Sequence, residues 1–259
     1  MASIEQEKLT GKLAMVTGGA SGLGAAIVER LVNDGADVAC CYNKSGSDAD
    51  QLVERLNSKG RHVIKIKVDV TDSKQVETAV ASIQRHFGRP VSILVNNAGD
   101  MIQSAYVDLM DEELWDLVMS INLKGTFLCS KYCIPGMKSI DGGCIINMSS
   151  ISARSGGGHG TSHYAASKGG IEAFTRALAK ELAAYNIMVN AISPGVILTP
   201  MHERNNTPEV LEKIRREYIP LQRLGDPEDV AGVVSFLCSR DALYITGEII
   251  AINGGMRMD

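Results

Sequence analysis

Short runs of β-branched and apolar residues alternate with longer amphipathic stretches along almost all of this 259-residue chain, and no other feature restricts its fold as much. The pattern predicts strands over 12–17, 37–42, 62–68, 91–96, 144–148, 187–192 and 248–252. Helical periodicity fills the gaps, over 23–34, 48–59, 73–87, 112–138, 164–185 and 227–238. Strand and helix taken in turn require crossovers, and crossovers make strands parallel. Ser92-Ile93-Leu94-Val95 fits such a strand, because a parallel sheet covered on both faces reads as a continuous apolar run. The expected fold is α/β: a doubly wound, parallel, seven-stranded sheet with helices on both faces, residues 1–259 forming a single domain. Ligands of such sheets bind beyond the carboxyl ends of the strands, so the residues that follow each strand carry the functional information.

At 45% hydrophobic, the sequence can bury a core of the required size. The net charge of −4 comes without any basic run able to track a phosphate backbone or an anionic lipid surface, so neither nucleic acid nor membrane is an expected partner. No stretch approaches the roughly 18 apolar residues of a membrane span. Residues 1–10 are polar and lack the apolar centre of a secretory signal, so the expected location is cytoplasmic. The six cysteines read as buried, reduced thiols, since most lie in apolar stretches such as Val38-Ala39-Cys40-Cys41. Cys129 and Cys133 lie one helical turn apart, but no second pair or nearby His completes a ligand set, and no metal is expected.

The first strand runs into Thr17-Gly18-Gly19-Ala20-Ser21-Gly22-Leu23-Gly24, which opens a helix. Glycines there permit a tight turn and let backbone N–H groups and the helix N-terminus approach a pyrophosphate, as in a Rossmann dinucleotide site. Gly18, Ser21, Gly22, Leu23 and Gly24 are the candidate contacts. Asp69-Val70 follows the third strand, and Asn96-Asn97-Ala98-Gly99 the fourth. Asp69 can accept a proton from an adenine amine, while Ala98 and Gly99 leave room for a ribose; each of these is equally at home in a plain turn. The second strand bears on cofactor type. An acid at its end would bind a ribose 2′-hydroxyl and repel a 2′-phosphate. Tyr42 stands there instead, followed by Asn43, Lys44 and Ser45, whose cation and donors suit a phosphate. NADP is favoured, with NAD the alternative.

Tyr164-Ala165-Ala166-Ser167-Lys168 starts a helix, so Tyr164 and Lys168, at i and i+4, share a face. A phenol ordinarily titrates near 10, and an ammonium within about 4–6 Å lowers that by roughly 1–3 units. Tyr164 then becomes a usable acid and base. Ser150 follows the fifth strand, where its hydroxyl can hold a substrate oxygen next to Tyr164.

Together these motifs resemble the short-chain dehydrogenase/reductase family, from about Leu9 to Met258. The resemblance implies a catalytic tetrad of Asn122, Ser150, Tyr164 and Lys168, in which Asn122 holds a water that links Lys168 to solvent. It also implies that Lys168 holds the nicotinamide ribose, and that Pro194, Gly195, Ile197 and Thr199 clamp the carboxamide. A homotetramer is a further implication. The segments Leu221-Gln222-Arg223-Leu224-Gly225-Asp226-Pro227 and Asn253-Gly254-Gly255-Met256 look most like 3-oxoacyl-carrier-protein reductases, and sugar and polyol dehydrogenases share them. Two departures stand out. Asp141 and Tyr185 occupy places where the carrier-protein reductases tend to hold basic residues. The stretch 152–163, with its run Gly156-Gly157-Gly158-His159-Gly160, is one residue longer than usual and should shape the substrate pocket, making Ser152, His159 and His163 candidate substrate contacts. Residues 200–220 look like a mobile substrate lid.

The expected activity is therefore transfer of a hydride between NADP(H) and a small-molecule secondary alcohol or carbonyl, either 3-oxoacyl-like or on a sugar or polyol. The rival from another class is a non-catalytic dinucleotide-binding protein, which has no use for the tetrad.

Overall fold

The computed structural model describes residues 8–200 and 206–258. Seven strands form one sheet: β1 (Leu13–Thr17), β2 (Asp37–Tyr42), β3 (Val63–Lys67), β4 (Ile93–Asn96), β5 (Gly143–Met148), β6 (Ile187–Pro194) and β7 (Ile249–Ile252). Their order is β3-β2-β1-β4-β5-β6-β7 and every pair is parallel. The chain thus winds outward from β1 to one edge, returns, and winds outward from β4 to the other. The crevice above the β1–β4 junction is where this topology places a ligand.

The sequence reading found all seven strands. Two boundaries moved by two residues, and the others by one at most. β4 begins at Ile93 rather than at 91, because Ser92 turns its hydroxyl to the backbone of Leu13, accepting from its N–H at 3.0 Å. β6 runs on to Pro194, paired with Ile252 of β7.

Helices α1 (Gly22–Asn33), α2 (Gly46–Asn57) and α9 (Pro227–Cys238) cover one face, burying Ile27, Leu31, Leu52 and Val234 against Val16, Val38 and Ile146. Helices α3 (Ser73–Phe87), α5 (Gly125–Ser139) and α7 (Ser162–Leu182) cover the other, where Val76, Ile83, Leu128 and Leu178 meet Met15, Leu94 and Ile145. Caps fix several of these ends. Asp72 accepts from the N–H groups of Lys74 and Gln75 before α3, Gly88 ends that helix in the left-handed conformation, and Asp226 and Asp229 form a capping box at α9.

The single helix predicted over 112–138 is three pieces: α4 (Glu112–Met119), a π-helical turn (Ser120–Lys124) and α5. The wider turn inserts a residue and carries the fully buried Asn122. α6 (Ser152–Ser155) and α8 (Pro208–Glu217) are short, and Met201 to Asn205 of the expected lid lie outside the described residues. The two sheet edges differ. β3 alternates half-buried Ile64 and Ile66 with exposed Lys65 and Lys67, which discourages further pairing, whereas β7 offers no charge at all.

Candidate active site

The glycine turn is held from below. Thr17, fully buried, accepts from the N–H groups of Asn97 and Ala98 through its hydroxyl, at 3.0 Å each, and Asn97 Nδ2 donates to the carbonyls of Thr17 and Gly18 at 3.0 and 3.1 Å. β1 and β4 are thereby locked at the point where they diverge. A Cβ on Gly24 would lie 1.9 Å from the Gly18 carbonyl oxygen, so no larger residue fits there, and Gly18 adopts φ +60°. Ser21 caps α1 by backbone alone, its hydroxyl uncommitted to the cap, and no acid stands in the helix's first turn. Open N–H groups at a helix start attract an anion.

From this turn a cleft of about 490 Å³ runs across the carboxyl ends of β1, β2, β4, β5 and β6. Gly18, Ser21, Gly22, Leu23, Gly24, Asn43, Lys44, Ala98, Gly99, Ser150, Tyr164, Lys168, Pro194, Gly195, Ile197 and Thr199, all expected at the site, line it. Ser45, Asn97, Asp100, Ile102, Ile121, Met148, Ser149 and Pro200 line it too, and of these Asp100, Ile102 and Ile121 escaped the sequence reading altogether. For Asp100 the signal was its position directly after Asn97-Ala98-Gly99.

Four expected cofactor residues do not reach the wall. Tyr42 packs against the core on the α1–α2 side. Asp69 folds its carboxylate back onto Thr71, accepting from the backbone N–H at 2.9 Å and the hydroxyl at 2.7 Å. Val70 is buried against Gly125, whose Cα leaves no room for a Cβ beside the valine. Asn96 turns into the core, donating to Asn147 Oδ1 at 2.9 Å and Ser130 Oγ at 3.1 Å.

The catalytic candidates converge from three elements. Ser150 follows β5, and its hydroxyl accepts from the Ser152 N–H at 3.1 Å while hydrogen-bonding the Tyr164 phenol. Tyr164 and Lys168 come from the first turns of α7. Lys168, 4% exposed, donates from Nζ to the Met148 carbonyl at 2.7 Å, which fixes the end of β5 against the helix. Asn122 accepts from the Asp100 N–H at 2.9 Å and donates to the Asp100 carbonyl at 3.0 Å and to Ser167 Oγ at 2.9 Å. Its two N–H donors and one acceptor position on its oxygen thus join the π turn, the loop after β4 and α7. Gly99 must be small, for a Cβ there would lie 2.8 Å from Asn122 Oδ1 and 3.2 Å from Lys168 Nζ.

The electrostatics correct one expectation. Lys168 was expected to pull the Tyr164 phenol down. Instead, burial pushes Tyr164 up to about 12, with the Ser150 hydrogen bond lowering it and the Asp100 charge raising it further. Burial pushes Lys168 down to about 8. The ammonium faces Met148, and its Nζ lies 5.5 Å from the centre of the Tyr164 ring, so desolvation outweighs attraction.

The substrate candidates are corrected as well. Ser152 starts α6 and supports Ser150 with its N–H rather than lining the cleft. His159 is exposed and does not line it. His163 is fully buried, its Nε2 lying 3.2 Å from the Met101 carbonyl and 3.1 Å from that of Gln103. It ties the 100–103 wall to the start of α7, and the Ala105 N–H donating to the Gly160 carbonyl at 2.9 Å adds a second tie. Asp141 accepts from Asn186 Nδ2 at 3.1 Å, while Lys138 sits 3.9 Å over the ring of Tyr185. All six cysteines are free and buried; Cys129 and Cys133 face the core beside Met15, and burial pushes Cys129 up to about 12.

A family model described as Enoyl-(Acyl carrier protein) reductase matches residues 18–257. The 3-oxoacyl-(acyl-carrier-protein) reductase FabG of Thermotoga maritima is 39% identical over 249 residues, 96% of this chain and 99% of that protein. The human (3R)-3-hydroxyacyl-CoA dehydrogenase is 39% identical over 270 residues, covering both chains completely. Among solved structures, a blue fluorescent protein from a metagenomic library in complex with NADPH superposes with a TM-score of 0.89 at 38% identity, covering 97% of this chain and 100% of that one. A Serratia marcescens short-chain dehydrogenase/reductase variant superposes with a TM-score of 0.90 at 33% identity, over 96% and 99% of the two chains. The chain belongs to the short-chain dehydrogenase/reductase family.

Proposed function

We propose that this protein is an NADP(H)-dependent oxidoreductase that interconverts a secondary alcohol and a carbonyl, with a 3-oxoacyl compound as its substrate type. One observation carries the reading: Ser150, Tyr164 and Lys168 meet in the same cleft as the glycine turn and the open N-terminus of α1. The cradle fits a dinucleotide, because the close packing at Gly18 and Gly24 draws the turn tight against α1, whose open first-turn N–H groups then face the cleft. Lys44 and Ser45 at the cleft end, with no acid among them, suit a 2′-phosphate. The named relatives and the NADPH-bound neighbour point the same way.

When bound, the nicotinamide supplies or takes up the hydride. Ser150 holds the substrate oxygen within reach of Tyr164, which gives that oxygen a proton during reduction and takes one back during oxidation. At neutral pH Tyr164 keeps its proton, so the site rests in the form that reduction needs. Lys168 supplies the positive charge against which a phenolate can form. Asn122 holds Gly99 and Asp100 in place against α7 and completes the tetrad.

Asp100 favours a second reading for the substrate, a sugar or polyol, because a carboxylate in the wall accepts hydrogen bonds from hydroxyl groups. We also place the enzyme in the cytoplasm, a reading supported by its six free thiols. Assembly as a homotetramer is supported by the apolar side chains left exposed on α4 and α5 (Trp115, Leu117 and Phe127) and by the uncharged edge β7. A panel of acetoacetyl thioesters, free sugars and polyols, followed at the NADPH absorbance band, tests the substrate assignment. Turnover confined to the thioesters supports it, and turnover confined to sugars replaces it with the second reading. Cofactor binding with no turnover across the panel would leave a non-catalytic dinucleotide binder.

A further inference from the structure

Glu172 lies about two turns beyond Tyr164 on α7 and is 5% exposed, a position where a carboxylate needs partners. It has three. The Ser149 hydroxyl donates to it at 3.1 Å, Arg154 Nε at 3.3 Å, and Arg176, one turn further along α7, at 3.4 Å. Two of these belong to the segment around Ser150. Ser149 precedes it at the end of β5, and Arg154 lies in α6, which begins two residues after it. α6 in turn holds the serine, since the Ser152 N–H donates to Ser150 Oγ at 3.1 Å. The Ser149 hydroxyl also lies 3.4 Å from the Lys168 carbonyl. A single buried charge thus grips the chain on both sides of Ser150, and it does so from the helix that carries Tyr164 and Lys168.

We infer that Glu172 is a positioning residue that holds the Ser150 hydroxyl against the Tyr164 phenol, acting through Arg154 and Ser149 without touching substrate or cofactor. The inference rests on the reading of Ser150 and Tyr164 given above. An ion pair that merely braced the fold would lower thermal stability and leave the chemistry of Tyr164 unchanged. A positioning role moves that chemistry. The charged groups around the phenol are Asp100, from the loop after β4, and Lys168, on α7; Ser150 is the neutral partner through which Glu172 acts.

The test is alcohol oxidation with NADP, measured across pH for Glu172→Gln, Arg154→Met, Ser150→Ala and the double variant Glu172→Gln/Ser150→Ala. Glutamine keeps the size of the side chain and an acceptor for Ser149, and removes the charge that holds Arg154. Glu172→Gln and Arg154→Met should each lower kcat by on the order of tenfold and leave the dissociation constant for NADPH unchanged. Both should also move the rise of kcat to higher pH, because a phenolate without its serine donor forms less readily. In the Ser150→Ala background, Glu172→Gln should change kcat no further. Wild-type kcat with an unshifted profile in both single variants overturns the inference, and so does a loss that multiplies with that of Ser150→Ala. If Glu172→Gln does not fold, Arg154→Met decides by the same profile. Ser150→Ala is also the separate control for the underlying reading: near-normal turnover in that variant removes Ser150 from the mechanism, and the inference falls with it.

Discussion

Lys168 donates from Nζ to the Met148 carbonyl at 2.7 Å, and the same nitrogen stands 5.5 Å from the centre of the Tyr164 ring. The lysine therefore serves as a strut between α7 and β5 as well as a charge, and the phenol is governed by its burial and by Ser150. Tyr164 at about 12 and Lys168 at about 8 form a pair whose first proton leaves near the lower value.

Opposite pH dependences for the two directions follow from that pair. Reduction needs the fully protonated form, so its kcat should hold level through neutral pH and fall as pH rises through about 8. Oxidation needs the form that has lost one proton, so its kcat should rise over the same interval. Steady-state rates in both directions across this range check the sign. Reduction that improved as the pH was raised would contradict it.

Cofactor choice should turn on Lys44, an exposed cation at the end of the cleft nearest β2. Lys44→Glu places an acid beside the site of a 2′-phosphate, where it repels that group and can bind a 2′-hydroxyl. The ratio of kcat/KM for NADPH over NADH should drop by about 10- to 100-fold, roughly the effect of losing one charge-assisted contact and gaining a repulsive one. Parallel assays with the two cofactors read it directly.

Gly24→Ala should abolish cofactor binding. The added Cβ would fall 1.9 Å from the Gly18 carbonyl oxygen, backbone against backbone, and only a shift of α1 or of the turn relieves that. Strain of this kind costs about 1–3 kcal/mol or more, so the melting temperature should fall as well. Fluorescence titration with NADPH and a thermal melt measure the two effects. Gly60→Ala is the control, because nothing stands within 4 Å of a Cβ at that position, though its φ of +75° carries its own modest cost.

Strand and helix alternation was enough to find the sheet, and the glycine turn and the Tyr164–Lys168 spacing were enough to find both ends of the cleft. What the sequence did not yield lies at the one-residue scale. Side chains of a strand point alternately to opposite faces, so Asn96 enters a buried amide network while Asn97, one position on, supports the turn. β2 likewise ends at Tyr42, packed on the core, and the turn that follows carries Asn43 and Lys44 into the cleft. The π turn at Ser120–Lys124 leaves the apolar periodicity of its helix almost unchanged, and so 112–138 read as one uninterrupted element. Long-range contacts leave no local signature either. Nothing around His163 signals that it reaches the carbonyls of Met101 and Gln103, some 60 residues away, rather than a substrate. The balance between Tyr164 and Lys168 was beyond reach for a similar reason, since spacing brings the two onto one face but burial decides their charge.

Tyr164→Phe tests the central claim most directly. It removes the phenolic oxygen and leaves the rest of the ring, the glycine turn and Lys168 in place. With an acetoacetyl thioester and NADPH, the variant should bind the cofactor with wild-type affinity and oxidise it at least about a hundredfold more slowly, the scale of losing a general acid. Turnover close to wild type at neutral pH would mean that the proton comes from another group, and would contradict the mechanism.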